Sequence, residues 1–280
     1  MGVCAHRAAP VQVNYLGFPA TLGANYMDYI IADTAVIPPG EEGFYDEQLV
    51  TLPGSYQAND DKGRPMARVG TRAQAGLPET GTVFCNFNNA YKLTPSTFDS
   101  WTVASSSVDA AACWRLLDAA PPCRQPAQRS AKSAAGAGAP DLRTRPGQHR
   151  SAPGAATLAD LFLDGLPYNA HTTGSDALVG VPLVTQAAPA FPGRVAASLL
   201  SAAGLPELIT EDVAVFEALA IKLGKDAKAL KTLKDKLAKN KTTCALFDTA
   251  TFTRHIESAY ETMWQAWLAG EKPKAFAVKG

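Results

Sequence analysis

LADLFLDGLPYNAHTTGSD, residues 158–176, passes from a short apolar run to a turn and then to a cluster of hydroxyls. Leu158, Leu161, Phe162 and Leu163 have the length and composition of a buried strand, and the run stops at Asp164. Gly165, Pro167 and Asn169 are turn residues. His171, Thr172, Thr173, Gly174 and Asp176 follow, ahead of Ala177 and Leu178, and predict a helix start with Thr172 or Thr173 as its cap. Val181, Leu183 and Val184 then supply a second buried strand. Strand, loop, helix start and strand make a βαβ unit. Its loop lies at the carboxyl end of the first strand, where open α/β sheets hold ligands. Free backbone N–H groups and the positive end of a helix dipole favour an anion there. Two threonine hydroxyls and an imidazole add hydrogen-bond donors, so the stretch predicts a phosphate site.

Outward from it, residues 83–87 (VFCNF) read as another strand, and Thr94-Pro95 as a helix start, because proline is tolerated at the first helical position. Asn88, Asn89 and Lys92 therefore fall on a second strand-to-helix loop of the same sheet. A lone loop lysine is ordinarily a solvated charge. Further upstream, residues 29–32 (YIIA) and 49–52 (LVTL) are strand candidates ended by Asp33 and Pro53. Leu16, Gly17, Phe18, Pro19, Ala20 and Thr21 form a turn whose glycine and proline allow close backbone approach. Read alone, it is a strand-connecting turn. Residues 57–82 are polar and turn-rich, as a junction between lobes would be. Downstream, Arg194 to Ala203 has a helical pattern ended by Gly204. From Glu207 to Lys272 there is no proline, and three apolar stripes at helical spacing begin at Phe216, Leu230 and Phe252. Eight lysines between Lys222 and Lys241 read as the wet face of those helices.

A chain of 280 residues holds one or two domains and a real core. Lys+Arg and Asp+Glu are both 26, so no net field points to nucleic acid or an anionic membrane. No apolar run approaches the roughly 18–20 residues that span a bilayer, and MGVCAHRAAPVQ lacks the apolar core of a signal peptide. Cys4, Cys85, Cys113, Cys123 and Cys244 form no CxxC pair and suit a reducing, cytoplasmic setting. Asn240-Lys241-Thr242 is then a chance match to a glycosylation acceptor. No cluster has metal-ligand spacing, and no nucleophile–His–acid set is evident, which leaves a hydrolase poorly supported.

Residues 119–157 are the anomaly. Leu142 is the only large apolar residue there, and six basic residues face the single acid Asp141. Such a stretch buries too little apolar area to offset its ordering entropy and is expected to be disordered. Its composition is that of a GC-rich gene read out of frame, and a natural low-complexity insertion is the alternative. Residues 101–113 share some of this character.

Four blocks carry a resemblance in order along the chain: residues 9–33 (APVQVNYLGFPATLGANYMDYIIAD), 83–101 (VFCNFNNAYKLTPSTFDSW), the LPYNAHTTGSDAL of the central stretch, and GRVAASLL from Gly193. Together they resemble the O-linked N-acetylglucosamine transferases of the SPINDLY type. The resemblance implies an α/β, GT-B-like fold: a partial N-terminal Rossmann-like lobe (1–75), a nucleotide-sugar-binding Rossmann-like lobe (76–204) and C-terminal helices packing on both (205–280). It implies inverting, metal-independent transfer of N-acetylglucosamine from UDP-N-acetylglucosamine to Ser/Thr hydroxyls of proteins, with no cofactor. Lys92 then stabilises the leaving diphosphate, with Asn89 beside it. His171, Thr172 and Thr173 hold the diphosphate, Asp176 lies near the ribose, and Leu16, Gly17 and Pro19 border the sugar. Ala20 stands where the family usually has glycine. The family's earlier catalytic motifs and helical repeats are not in the chain, so an inactive UDP-binding remnant and the product of a damaged gene are the competing expectations.

Overall fold

The computed structural model describes residues 2–62, 70–75, 77–116, 141–145 and 157–280. A short helix α1 (Gly2–Ala5) precedes β1 (Val13–Asn14), β2 (Tyr29–Ala32) and β3 (Gln48–Thr51). A second unit follows: β4 (Val83–Asn86), α2 (Pro95–Ser106), β5 (Ala112–Leu116), β6 (Asp141–Arg145), β7 (Leu161–Leu163), α3 (Thr172–Ala177), β8 (Leu183–Gln186), α4 (Val195–Ala202) and β9 (Ile209–Thr210). Helices α5 (Val213–Lys225), α6 (Ala227–Asn240) and α7 (Thr249–Leu268) come next, and β10 (Phe276–Ala277) closes the order.

The strands form two sheets, ordered β1-β2-β3-β10 and β6-β5-β4-β7-β8-β9, and each pairing is parallel. Parallel sheets are covered on both faces, which is why YIIA of β2 and LFL of β7 are buried at every position. Alternation sorts the residues of β2: Tyr29 and Ile31 pack with Val50, Leu52, Ala259 and Met263 under α7, whereas Ile30 and Ala32 join the main core. Helix starts follow their side chains. Thr94 accepts from the Thr97 N–H with Pro95 just inside α2, while Asp212, Asp226 and Asp248 cap α5, α6 and α7 in the same way. A Cβ at Gly224 of α5 would stand 2.7 Å from Phe84 Cζ and 2.8 Å from Val108 Cγ2, so this close helix-to-sheet approach requires glycine. No helix among the described residues is long and apolar enough to cross a membrane.

The two sheets are tied together by buried polar contacts. Asp33, at the end of β2, accepts from the Tyr56 N–H at 2.8 Å and from Ser198 Oγ of α4 at 2.6 Å. Ser55 Oγ lies 2.9 Å from Ser198 Oγ, and Gln57 Nε2 donates to Ser175 Oγ of α3 at 2.8 Å. The Arg194 guanidinium grips both oxygens of Glu41, at 2.5 and 2.8 Å, and Tyr56 packs edge-on against Phe191.

The expected disorder of 119–157 needs a correction. Asp141–Arg145 is a strand, paired residue for residue with β5 from Ala112↔Asp141 to Leu116↔Arg145. An edge strand is held by main-chain hydrogen bonds on one side, which require no large apolar residues, so composition alone does not exclude it. Residues 119–140 and 146–156, and with them the rest of the disorder and out-of-frame expectations, lie outside the described residues. Residues 101–113 are also more regular than expected: Trp101, Ala104, Val108 and Cys113 are all buried.

Candidate functional site

β4 and β7 are neighbours, so the loops at their carboxyl ends open side by side. Asn86 stitches the two strand ends, donating from Nδ2 to the Leu163 carbonyl at 2.7 Å while its Oδ1 accepts the Asn88 N–H at 3.0 Å. The chain then makes a 3₁₀ turn over Ala90–Lys92, closed by the Lys92 N–H on the carbonyl of exposed Asn89. That turn sends Lys92 toward the β7 loop. Its Nζ donates to the Asn169 carbonyl at 2.9 Å and sits 4.0 Å above the Tyr168 ring, a cation–π contact. Burial pulls the Lys92 ammonium down to about 8, with the charge of Asp164 opposing the shift. At neutral pH Lys92 is still mainly a cation.

Tyr168 also stacks on His171, with centroids 4.6 Å apart and planes at 28°. His171 Nε2 lies 3.1 Å from the Pro192 carbonyl, which only accepts, so Nε2 carries the proton. Burial lowers this imidazole to about 4; the bond to Pro192 opposes the shift and Lys92 adds to it. The ring is therefore neutral near pH 7, and its other nitrogen accepts rather than donates. The expectation of a free imidazole donor gives way to a stacking surface with an acceptor edge.

The expected threonine cap is also corrected. His171 occupies the cap position of α3 without a side-chain cap bond. Thr173 Oγ1 donates instead to Asn88 Oδ1 at 2.5 Å, joining the two loops. Thr172 is exposed at the helix start, and Asp176 is half-buried in its last turn.

Beneath both loops is Asp164, 1% exposed. Its Oδ1 accepts from the Ala170 N–H at 2.8 Å and faces Asn88 Nδ2 at 3.4 Å, and its Oδ2 accepts from Thr185 Oγ1 of β8 at 2.7 Å. Its carbonyl accepts from Trp101 Nε1 at 2.8 Å. Burial raises the carboxyl to about 6 against the pull of Thr185, the Gly165 and Ala170 N–H groups and Lys92.

Leu16, Gly17 and Pro19 lie on the other sheet, just after β1. Leu16 takes a left-handed φ of 57° and is 44% exposed, so the loop presents an apolar tip. Asn14 Nδ2 holds its far end through the Ala20 carbonyl at 2.8 Å, and Glu47 accepts from Thr21 Oγ1 and the Leu22 N–H, both at 2.7 Å. Among the described residues no hydrogen bond or ring contact joins Leu16, Gly17 or Pro19 to Lys92 or His171. Tyr56 has both Tyr15, beside the first loop, and Tyr168 among its electrostatic neighbours. Lys92, His171 and Thr173 thus converge, whereas the first-sheet loop approaches separately.

Sequence reading missed Tyr168, which touches both Lys92 and His171, and treated Asp164 only as the end of an apolar run. An aromatic residue between Pro167 and Asn169 in a turn was the available signal for the first. Among the described residues no group of three His, Cys, Asp or Glu is placed to hold a metal ion.

The family profile described as Glycosyl transferase family 41 matches residues 2–63 and 57–256. The chain is 34% identical over 286 residues to the probable UDP-N-acetylglucosamine–peptide N-acetylglucosaminyltransferase SEC of Arabidopsis thaliana, covering 99% of this chain and 29% of that protein. It is 32% identical over 281 residues to the similarly described SPINDLY of Solanum lycopersicum, covering 98% and 29%. A solved mutant of the Thermobaculum terrenum O-GlcNAc transferase superposes with a TM-score of 0.79 at 29% identity, covering 93% of this chain and 49% of that one. The two-sheet α/β architecture is accordingly of the GT-B type. The chain spans less than a third of the length of these curated relatives.

Proposed function

Because the chain belongs to glycosyl transferase family 41, we propose that it carries the nucleotide-sugar half of a cytoplasmic protein O-GlcNAc transferase. The substrate is UDP-N-acetylglucosamine and the acceptor is a Ser or Thr hydroxyl of a protein. In one inverting displacement the acceptor oxygen bonds to the sugar's anomeric carbon as the bond to the diphosphate oxygen breaks. The hydroxyl proton is released and UDP departs with the electron pair. Negative charge grows on the diphosphate, and Lys92 meets it there, a contact made stronger in the transition state than in the ground state. Asn89 lies beside that contact. Thr172 and Thr173 offer hydroxyls to the phosphates, His171 backs them with its neutral ring, and Asp176 takes the ribose. Leu16, Gly17 and Pro19 close over the sugar from the other lobe.

The observation that carries this reading is the gathering of Lys92, His171 and Thr173 around Tyr168 and Asn88, on adjacent loops at the carboxyl edge of a parallel sheet. To reach a phosphate, the Lys92 ammonium has only to leave a neutral carbonyl and a ring face, neither of which holds it as an ion pair would.

Calorimetry with UDP on the parent chain, Lys92→Ala and Thr172→Ala tests the site. Loss of the lysine is expected to weaken UDP about ten- to a hundred-fold, the size of one charge-assisted contact. Equal affinity in all three proteins would show that the site has been misplaced. Transfer of radiolabelled N-acetylglucosamine to a serine peptide tests the chemistry. UDP binding without measurable transfer would restrict the chain to nucleotide binding.

A further inference from the structure

We infer that Asp164 is a positioning residue for Lys92: its buried carboxylate, bonded to the amide N–H beside the carbonyl that receives the ammonium, is the counter-charge of Lys92, and its hydrogen bonds hold the two ligand loops as one unit. The inference rests on the reading that Lys92 meets the diphosphate, and goes beyond it by naming what prepares the lysine.

The geometry is specific. Asp164 is the first residue after β7 and is buried. One oxygen fixes the β7 loop through the Ala170 N–H, immediately beside the Asn169 carbonyl that receives Lys92. The same oxygen faces Asn88 on the β4 loop, and Asn88 in turn receives Thr173. The other oxygen is anchored to β8 through Thr185. Removing the carboxylate would therefore loosen the acceptor of Lys92, the partner of Thr173 and the counter-charge together.

The charges around the pair are few. Among the described residues the titratable neighbours of the Lys92 ammonium are Asp164, Tyr168 and His171, and His171 is neutral. Among the described residues Lys92 is the cation that acts on Asp164, and the carboxyl's other partners, Thr185, Gly165, Ala170 and Asn88, are neutral hydrogen-bond donors. Among the described residues this half-buried ammonium, beside an aromatic ring and a carbonyl, has no other anion to offset its desolvation, and burial already pulls it down to about 8.

The direct test needs no ligand. Trace labelling with acetic anhydride modifies only the neutral amine, and mass spectrometry reads the modification at Lys92 as a function of pH. In the parent the labelling limb is expected to rise near pH 8. In Asp164→Asn it is expected at lower pH than in the parent, the direction that losing an opposite charge gives. Thr185→Val provides a second, milder route. Without its hydroxyl the carboxyl ionises at higher pH, so Lys92 labelling between about pH 6 and 7 should rise. Coincident limbs in the parent and Asp164→Asn would overturn the inference. If Asp164→Asn does not fold, unchanged labelling in Thr185→Val would overturn it as well.

Calorimetry with UDP separates the two readings. A shifted limb in a chain that binds no UDP keeps the Asp164–Lys92 coupling and removes the nucleotide-sugar reading. UDP binding with coincident limbs does the reverse. Where both hold, adding Lys92→Arg to Asp164→Asn should recover UDP affinity at pH 8, because guanidinium stays charged without a partner. Failure of that rescue would reduce Asp164 to a loop brace.

Discussion

Asp33 and Asp164 occupy the same place in the two sheets. Each follows a fully buried strand, each is 1% exposed, and burial raises each carboxyl above its ordinary range. Each gathers backbone N–H groups from its own loop and a hydroxyl from another element. The difference is what else each faces. Asp33 accepts from Ala35, Val36, Tyr56 and Ser198, with no cation among its partners in the described residues, and its second oxygen receives an N–H that cannot turn away. Asp164 has Lys92 near by, and its second oxygen receives a hydroxyl that can rotate. One position thus serves architecture in the first sheet and poises a charged group in the second.

Substitution should break the symmetry. Asp33→Asn sets an amide N–H₂ against the N–H groups it replaces or leaves them unsatisfied, and should lower stability by about 3 kcal/mol in urea unfolding. Asp164→Asn should lower it by only about 1 kcal/mol at neutral pH, because the Thr185 hydroxyl can rotate and accept from the new amide N–H₂ instead. A larger loss from Asp164→Asn than from Asp33→Asn would contradict the assignment of roles.

Acid sharpens the comparison. The folded carboxyl of Asp164 titrates at about 6 against an ordinary 3.8. A raised carboxyl contributes stability that is fully present below the unfolded value and is lost as pH rises through the folded one. The advantage of the parent over Asp164→Asn should therefore be about 2–3 kcal/mol greater near pH 4 than near pH 7. An advantage independent of pH would place the folded value of this carboxyl in the ordinary range.

Smaller effects follow. Ser198→Ala removes a 2.6 Å hydrogen bond to Asp33 and the partner of Ser55, and should cost about 1–2 kcal/mol in the same unfolding experiment. His171 should show no change at all over the neutral range. With its ring lowered to about 4, its carbon-bound proton resonances should stay fixed from about pH 8 down to about pH 5.5, where an ordinary histidine titrates fully. A midpoint near 6.5 would mean that Tyr168 and Pro192 do not enclose it.

Apolar runs with clear stops made most of the fold legible. YIIA before Asp33, LFL before Asp164 and VFCN before the asparagines are strands within a residue or two of where the sequence puts them, as are α2 after Thr94-Pro95 and α4 after Arg194. β6 and β10 escaped because an edge strand needs main-chain partners rather than an apolar pattern, and because two residues carry no period. In the site, His171 and Thr173 were legible from the strand–loop–helix pattern and Lys92 through motif resemblance, and their meeting is tertiary. Tyr168 and Asp164 could not be read from spacing, since their roles arise where the loops of β4 and β7 touch. The helix cap was misjudged for the same reason: Asn88, far away in sequence, claims the Thr173 hydroxyl.

The pairing of β10 with β3 bears on how the molecule is made. Phe276 and Ala277 lie beside Val50 and Thr51, the Val278 N–H bonds the Thr51 carbonyl, and the Phe276 ring meets Tyr29 edge-on. The residue that closes the first sheet thus leaves the ribosome only after the whole of the second. During synthesis β3 waits with one edge open, and domains that emerge first ordinarily fold first. Here that order is reversed for the final step: the earlier lobe is sealed by the later segment, and a nascent chain arrested before Phe276 would expose a bare parallel edge for chaperones or neighbouring chains to occupy.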